Sequence, residues 1–173
     1  MKLLIVSDIH GDYLSFKKAL ENETFDTLIV LGDLFSYGYE HKKDDEEKII
    51  DTLQKYKDKL ILIKGNCDYL ISFEALSLHP FEVITLPFNN HIITFTHGNK
   101  YKKGFLPTYH GDIFISGHTH VPLLMKENNI TYVNPGSTGH PRGGSSKSYA
   151  VFDNDVIVLK TIDNKIIKEM KVG

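Results

Sequence analysis

Seven residues able to hold a metal ion stand just beyond short apolar runs: Asp8 and His10, Asp33, Asn66, His97, and His118 and His120. Their loops read Asp8-Ile9-His10, Gly32-Asp33, Gly65-Asn66, His97-Gly98 and Gly117-His118-Thr119-His120. Carboxylate oxygen, amide oxygen and imidazole nitrogen form a hard-to-borderline donor set, suited to manganese, iron, zinc or nickel rather than calcium. On an extended segment the Asp-x-His spacing puts both side chains on one side, and His118-x-His120 repeats that spacing. Asp33 has two oxygens, enough to bridge ions about 3.5–4 Å apart, the separation used in two-metal hydrolysis. Each residue alone is more simply read as a turn former. Turns have no general need for histidine, however, so the coincidence at five successive loops points to a site.

The runs before these loops are the elements that must position them. Leu3 to Val6, Thr27 to Leu31 and Leu60 to Ile63 are continuous apolar stretches of the buried-strand kind. Between them, Tyr13 to Asn22 and Asp44 to Tyr56 carry apolar residues at helical spacing, Ile49, Ile50, Leu53 and Tyr56 lying on one face of the second. This β-α-β-α-β order implies a parallel sheet, and loops at the carboxyl ends of parallel strands converge on one edge. The second half reads as hairpins: Phe81 to Leu86 with His91 to Thr96 around Phe88-Asn89-Asn90, Leu123 to Glu127 with Ile130 to Asn134, and Tyr149 to Phe152 with Val156 to Thr161. Ile113 to Ser116 is a further buried strand, and Lys165 to Val172 alternates as a closing one. The fold expected for residues 1–173, read as one domain, is α/β: a four-layer αββα sandwich of two mixed sheets, about ten strands in all, flanked by helices.

Composition narrows the setting. A formal net charge of -2 offers no basic face for nucleic acid, and no apolar run approaches the length of a membrane span. The single cysteine, Cys67, excludes an internal disulfide, and the early polar residues of the amino terminus do not suit a signal peptide. A cytoplasmic location is the expectation.

The order Asp-x-His, Gly-Asp, Gly-Asn-x-Asp, His-Gly, Gly-His-x-His, carried by Asp8 to His120, resembles the signature of the calcineurin-like metallophosphoesterase superfamily. Chain length, Asn134-Pro135-Gly136-Ser137 and the closing hairpin resemble its small YfcE-like phosphodiesterase group. That resemblance implies two divalent ions, Mn²⁺ first, with Ni²⁺, Fe²⁺, Zn²⁺, Co²⁺ and Mg²⁺ as alternatives. One would be held by Asp8, His10 and His120, the other by Asn66, His97 and His118, with Asp33 shared. It also implies phosphodiester hydrolysis by a hydroxide bridging the ions, with Asp33, Asn66, Cys67 and His97 at the reacting centre. The implied partner is a small phosphodiester; neither a membrane nor stable nucleic-acid binding is implied, and monomer and homo-oligomer are equally compatible. Rival readings are a nucleotide phosphomonoesterase or nuclease of the same superfamily, and an interaction scaffold like the retromer coat subunit. A scaffold has no reason to keep both histidine pairs and Asn66.

Two departures refine the reading. Larger relatives with monoesterase activity carry histidine where this chain has Cys67, and a thiol is the poorer general acid, which favours diesters. The Asp-Arg-Gly of protein serine/threonine phosphatases is absent after Gly32, and Arg142 is the only arginine, so a bidentate arginine clamp has little to draw on. Asp12 reads first as a helix cap, then as a ligand neighbour. Asn134 and Ser137 read as residues of a turn able to approach the site, Arg142 first as a solvated loop residue and second as a phosphate contact, and His41, His79, His91, His110 and His140 as surface or structural. Substrate choice is expected in rim loops 35–41, 69–78 and 99–112, where Tyr37, Tyr39, Tyr69, Phe73 and Tyr101 offer stacking surfaces.

Overall fold

The computed structural model describes residues 1–35, 43–69, 73 and 77–173. Tyr37, Tyr39 and His41, and with them most of the first rim loop and part of the second, lie outside the described residues.

The first three apolar runs become β1 (Leu3–Val6), β2 (Thr27–Val30) and β3 (Leu60–Leu62), paired in parallel with Ile5 opposite Ile29 and Ile29 opposite Ile61. Two helices connect them, α1 (Tyr13–Glu21) and α2 (Lys43–Lys55). Asp12 takes the capping role: its carboxylate accepts the Ser15 N–H at 3.0 Å and the Ser15 hydroxyl at 2.8 Å, satisfying donors that the first turn leaves open. Phe16, Ala19 and Leu20 of α1 and Ile49 and Leu53 of α2 pack on Leu4, Val6, Leu28 and Val30, the outward side chains of β1 and β2. Each large side chain buried this way contributes about 1.5–3 kcal/mol.

Eight further strands follow: β4 (Val83–Phe88), β5 (His91–Thr96), β6 (Ile113–Ser116), β7 (Leu123–Glu127), β8 (Ile130–Asn134), β9 (Ser148–Asp153), β10 (Val156–Thr161) and β11 (Ile166–Lys171). They complete two mixed sheets, ordered β11-β10-β9-β1-β2-β3 and β4-β5-β6-β8-β7. The inward side chains of both, among them Ile5, Ile29, Phe95, Ile115, Val133 and Phe152, form one buried layer, so the sheets pack face to face as expected.

The differences from expectation are local. β4 runs through Pro87 to Phe88 instead of ending at Leu86, leaving Asn89-Asn90 as the turn. Pro87 is tolerated because β4 is an edge strand, where a missing N–H breaks no ladder bond. The other two tight turns have both central residues at positive φ, Asn128-Asn129 at 49° and 63° and Asn154-Asp155 at 46° and 60°, the geometry that suits strand twist. Among the described residues, both α-helices pack on the outer face of the first sheet. Over the outer face of the second sheet lies the 98–112 segment, which forms no helix. Gly111 N–H donates to Thr94 Oγ1 at 2.9 Å, and the Lys103 ammonium stands 5.8 Å from the Tyr132 ring centre. Gly98, Gly104, Pro107 and Gly111 in that stretch oppose a helix. No described helix is long and apolar enough to cross a membrane.

Candidate metal centre

The parallel triplet β1-β2-β3 and the parallel set β5-β6-β8 present their carboxyl ends on a common edge of the sandwich, and every candidate ligand follows one of these ends. Backbone bonds draw the loops together: Asp8 N–H to Gly32 O at 3.1 Å, His10 N–H to Asp33 O at 3.0 Å, and Gly117 N–H to His97 O at 2.7 Å. Two glycines are required by close approach. A Cβ on Gly65 would stand 2.1 Å from Asp33 Oδ1, and one on Gly117 would stand 1.9 Å from Ser7 Oγ.

All seven sequence-predicted ligands come together. Asp8, His10, Asp33 and His120 each offer a ligand atom within 4.8 Å of the others, and Asp33, His97 and His118 form a second such group. Asp33 belongs to both. Its Oδ2 lies 3.7 Å from His10 Nε2 and 3.4 Å from His97 Nε2, while Oδ1 accepts the Cys67 N–H at 2.8 Å. Asn66 Oδ1 stands 3.0 Å from His97 Nε2.

The backbone achieves this differently from the expected extended segments. Asp8, His10, Asp33, His118 and His120 have φ of 53°, 46°, 53°, 66° and 61°, all in the left-handed region that L-residues disfavour. Such conformations cost on the order of 1–3 kcal/mol each and gather where surroundings impose them, as at ligand sites. Consequently His118 and His120 do not grip one point. His120 joins His10, the two Nε2 atoms 3.4 Å apart, and His118 stands edge-on to His97 with ring centres 5.1 Å apart.

The polarity of the cluster fits cations. His97 Nδ1 donates to Leu31 O at 2.6 Å and His120 Nδ1 donates to His140 O at 2.5 Å, so both rings turn a lone pair on Nε2 into the site. These lone pairs meet carboxylate and amide oxygens, which are acceptors as well. Asp8 Oδ1 is buried with no hydrogen-bond partner, 3.2 Å from His120 Nε2 but without hydrogen-bond geometry, while Asp8 Oδ2 accepts the Ser7 hydroxyl and the His118 N–H. Converging acceptors with an orphaned carboxylate oxygen are what a divalent cation would satisfy.

Burial opposes the charged form of His97, but the adjacent Asp33 carboxylate outweighs it and raises its pKa; the Asp8 carboxylate does so for His120. Burial would likewise raise Asp33, yet His97, the Cys67 N–H and His10 hold it well below the usual carboxylate range. His10 and His118 are lowered, chiefly by burial. Burial and the Asp33 charge push the half-buried Cys67 thiol up to about 11, which keeps it protonated and a poor nucleophile.

No supporting role for Asp68 or for the His140 carbonyl was legible in the sequence, and Asn134 and Ser137 read only as a turn able to approach the site. Asp68 is buried, and its carboxylate accepts the N–H groups of Asp33, Leu34 and Gly65, each at 2.8 Å. The Gly-Asn-x-Asp spacing was its only signal. Ser137 Oγ donates to Asp8 O at 2.6 Å, and Asn134 Nδ2 to Gly117 O at 2.7 Å, so this turn buttresses two ligand loops. His140 orients His120 through its carbonyl, a role no side-chain type announces. Among the remaining candidates, Phe73 is a buried core residue rather than a stacking surface, whereas Tyr69 is exposed. Tyr101 stacks on Phe105, with ring centres 6.2 Å apart. His91 is held by Asp112 at 2.5 Å, His110 Nδ1 lies 3.0 Å from Gly111 O, and His79 is exposed.

A two-sheet sandwich with acceptors gathered at one strand edge defines a class, and comparison with known proteins agrees. The chain belongs to the calcineurin-like phosphoesterase superfamily, whose domain profile matches residues 1–156. Among individual proteins, it is 31% identical to phosphodiesterase YfcE of Escherichia coli K12, across 100% of this chain and 99% of the relative. The solved structure of that phosphoesterase superposes with a TM-score of 0.91 at 28% identity, covering 100% of both chains. Probable metallophosphoesterase YsnB of Bacillus subtilis is 26% identical, over 94% of this chain and 91% of its own length. A Vps29 mutant of Entamoeba histolytica shares the fold, with a TM-score of 0.68 at 19% identity and 100% of both chains covered.

Proposed function

We propose that this chain is a metal-dependent phosphodiesterase that holds two divalent cations, one through Asp8, His10, Asp33 and His120, the other through Asp33, Asn66, His97 and His118. The observation that carries the reading is the buried Asp33, the shared member of two groups of converging acceptors. When bound, the cations supply an acidified water and neutralise charge on the phosphoryl oxygens. The chain's own contribution is preorganisation: carbonyls anchor His97 and His120, and the Asn66 amide, its Nδ2 3.2 Å from Cys67 Sγ, turns Oδ1 towards His97. The donor set suits Mn²⁺, Fe²⁺, Zn²⁺ or Ni²⁺, and the family resemblance puts Mn²⁺ first, with Ni²⁺, Fe²⁺, Zn²⁺, Co²⁺ and Mg²⁺ as alternatives. A free, protonated Cys67 suits a reducing cytoplasm.

Turnover of bis-p-nitrophenyl phosphate is expected with added Mn²⁺ and lost on chelation. Absence of metal-dependent turnover with each of Mn²⁺, Ni²⁺, Co²⁺ and Mg²⁺ would refute the reading.

Cys67 supports diester over monoester substrates. It sits beside Asn66 with its N–H on Asp33, and its thiol is a weak hydrogen-bond donor. Cys67→His is therefore expected to raise aryl monoester turnover relative to aryl diester turnover by about tenfold or more, within the range of general acid–base effects. An unchanged ratio in a side-by-side assay would remove Cys67 from substrate selection.

A further inference from the structure

Residues 134–145 form a strap across the ligand loops. Thr138 N–H donates to Ser7 O at 3.2 Å, Gly139 N–H to Asp8 O at 3.2 Å, and Arg142 N–H to His120 O at 3.3 Å. Ser145 Oγ is 3.3 Å from that same His120 carbonyl. The His140 ring lies 6.1 Å from the His10 ring and 6.3 Å from the His120 ring, centre to centre. The strap is thus tied to the Asp8–His10–His120 half of the site from both ends.

Two cationic side chains of different standing lie on the strap and just after it. Lys147 is neutralised, its ammonium bonded to the Asp12 carboxylate and 3.0 Å from Ser15 Oγ. Arg142, the only arginine in the chain, is exposed, and its guanidinium makes no hydrogen bond or ion pair with a described residue. Its own backbone N–H bonds the His120 carbonyl, so the residue stands at the rim of the Asp8–His10–His120 group. An unpaired cation beside a receptor for cations hinders loading, unless an anion arrives between them. A guanidinium also offers five donors in a planar fork that matches phosphoryl oxygens.

We propose that Arg142 is a substrate-binding residue that receives a non-bridging phosphoryl oxygen at the Asp8–His10–His120 side of the site. The inference rests on the phosphoesterase reading above. It selects the second of the two readings the sequence left for Arg142 and gives this chain an arginine contact from the strap rather than from the loop after Asp33.

The test is calorimetric titration of inorganic phosphate into the Mn²⁺-loaded full chain, compared for the native protein, Arg142→Ala and Arg142→Lys. Loss of one charge-assisted contact is expected to weaken phosphate binding about 10- to 100-fold in Arg142→Ala. The KM for bis-p-nitrophenyl phosphate should rise in parallel, and Arg142→Lys should recover part of both. Manganese stoichiometry and affinity measured without phosphate should not fall. Phosphate affinity within twofold of native in Arg142→Ala overturns the proposal, as does a loss matched by equal loss of manganese. Arg142-dependent phosphate binding by a chain that hydrolyses no diester would support the contact while refuting the phosphodiesterase reading.

Discussion

Asp33→Asn is expected to lower diester turnover about 10³-fold, the scale seen when one preorganised electrostatic group is removed from an active site. The substitution preserves shape, and its amide oxygen can still accept the Cys67 N–H that now bonds Oδ1 at 2.8 Å. What it removes is the negative charge beside His10 Nε2 and His97 Nε2, where the two acceptor groups meet. Metal content should fall together with activity. The metal-free protein should also lose some stability at neutral pH, because neighbours that hold the Asp33 pKa below the usual carboxylate range favour its charged form by more than burial costs it. Paired measurements of kcat and bound manganese check this. Turnover within tenfold of native would show that Asp33 is not the shared ligand.

Asp68→Ala should act through the opposite balance, with a large loss of stability. Three buried backbone N–H groups, those of Asp33, Leu34 and Gly65, would lose their acceptor at once. Each unsatisfied donor costs about 1–3 kcal/mol, so the total is on the order of 4 kcal/mol after partial rescue by water. For a chain of this size that corresponds to a melting temperature lowered by roughly 10 °C. Because those N–H groups fix the loop that carries Asp33, activity should fall even well below the new melting point. Thermal unfolding of the metal-free protein reads the first effect and turnover at low temperature the second. A melting temperature within about 2 °C of native would mean that water replaces the carboxylate and that Asp68 is not the clamp.

The contrast between these residues shows what the sequence made legible. Asp33 could be found because a carboxylate after an apolar run, in company with histidines after other such runs, is chemically conspicuous. Asp68 could not, because its three bonds go to backbone groups, two of them more than thirty positions away in the chain. The same holds for Ser137 on the Asp8 carbonyl and for the His140 carbonyl on His120. α1 and the parallel core strands were legible because helical periodicity and continuous apolar runs encode burial directly. The outer cover of the second sheet was legible only as a loop: Thr94 and Tyr132 are buried beneath a segment whose lack of periodic pattern gave no sign that it packs on the sheet. Nor did Asp-x-His spacing reveal that Asp8 and His10 turn through left-handed conformations, since no side-chain type requires them there.

The central claim is that two cations share Asp33. Titrating the metal-free chain with Mn²⁺ under electron paramagnetic resonance tests it most directly, because ions bridged by one carboxylate are magnetically coupled. Two ions per chain with an exchange-coupled signal, and loss of that coupling in Asp33→Asn, is the predicted result. A plateau at one ion per chain, or two ions with independent signals, would contradict the shared site.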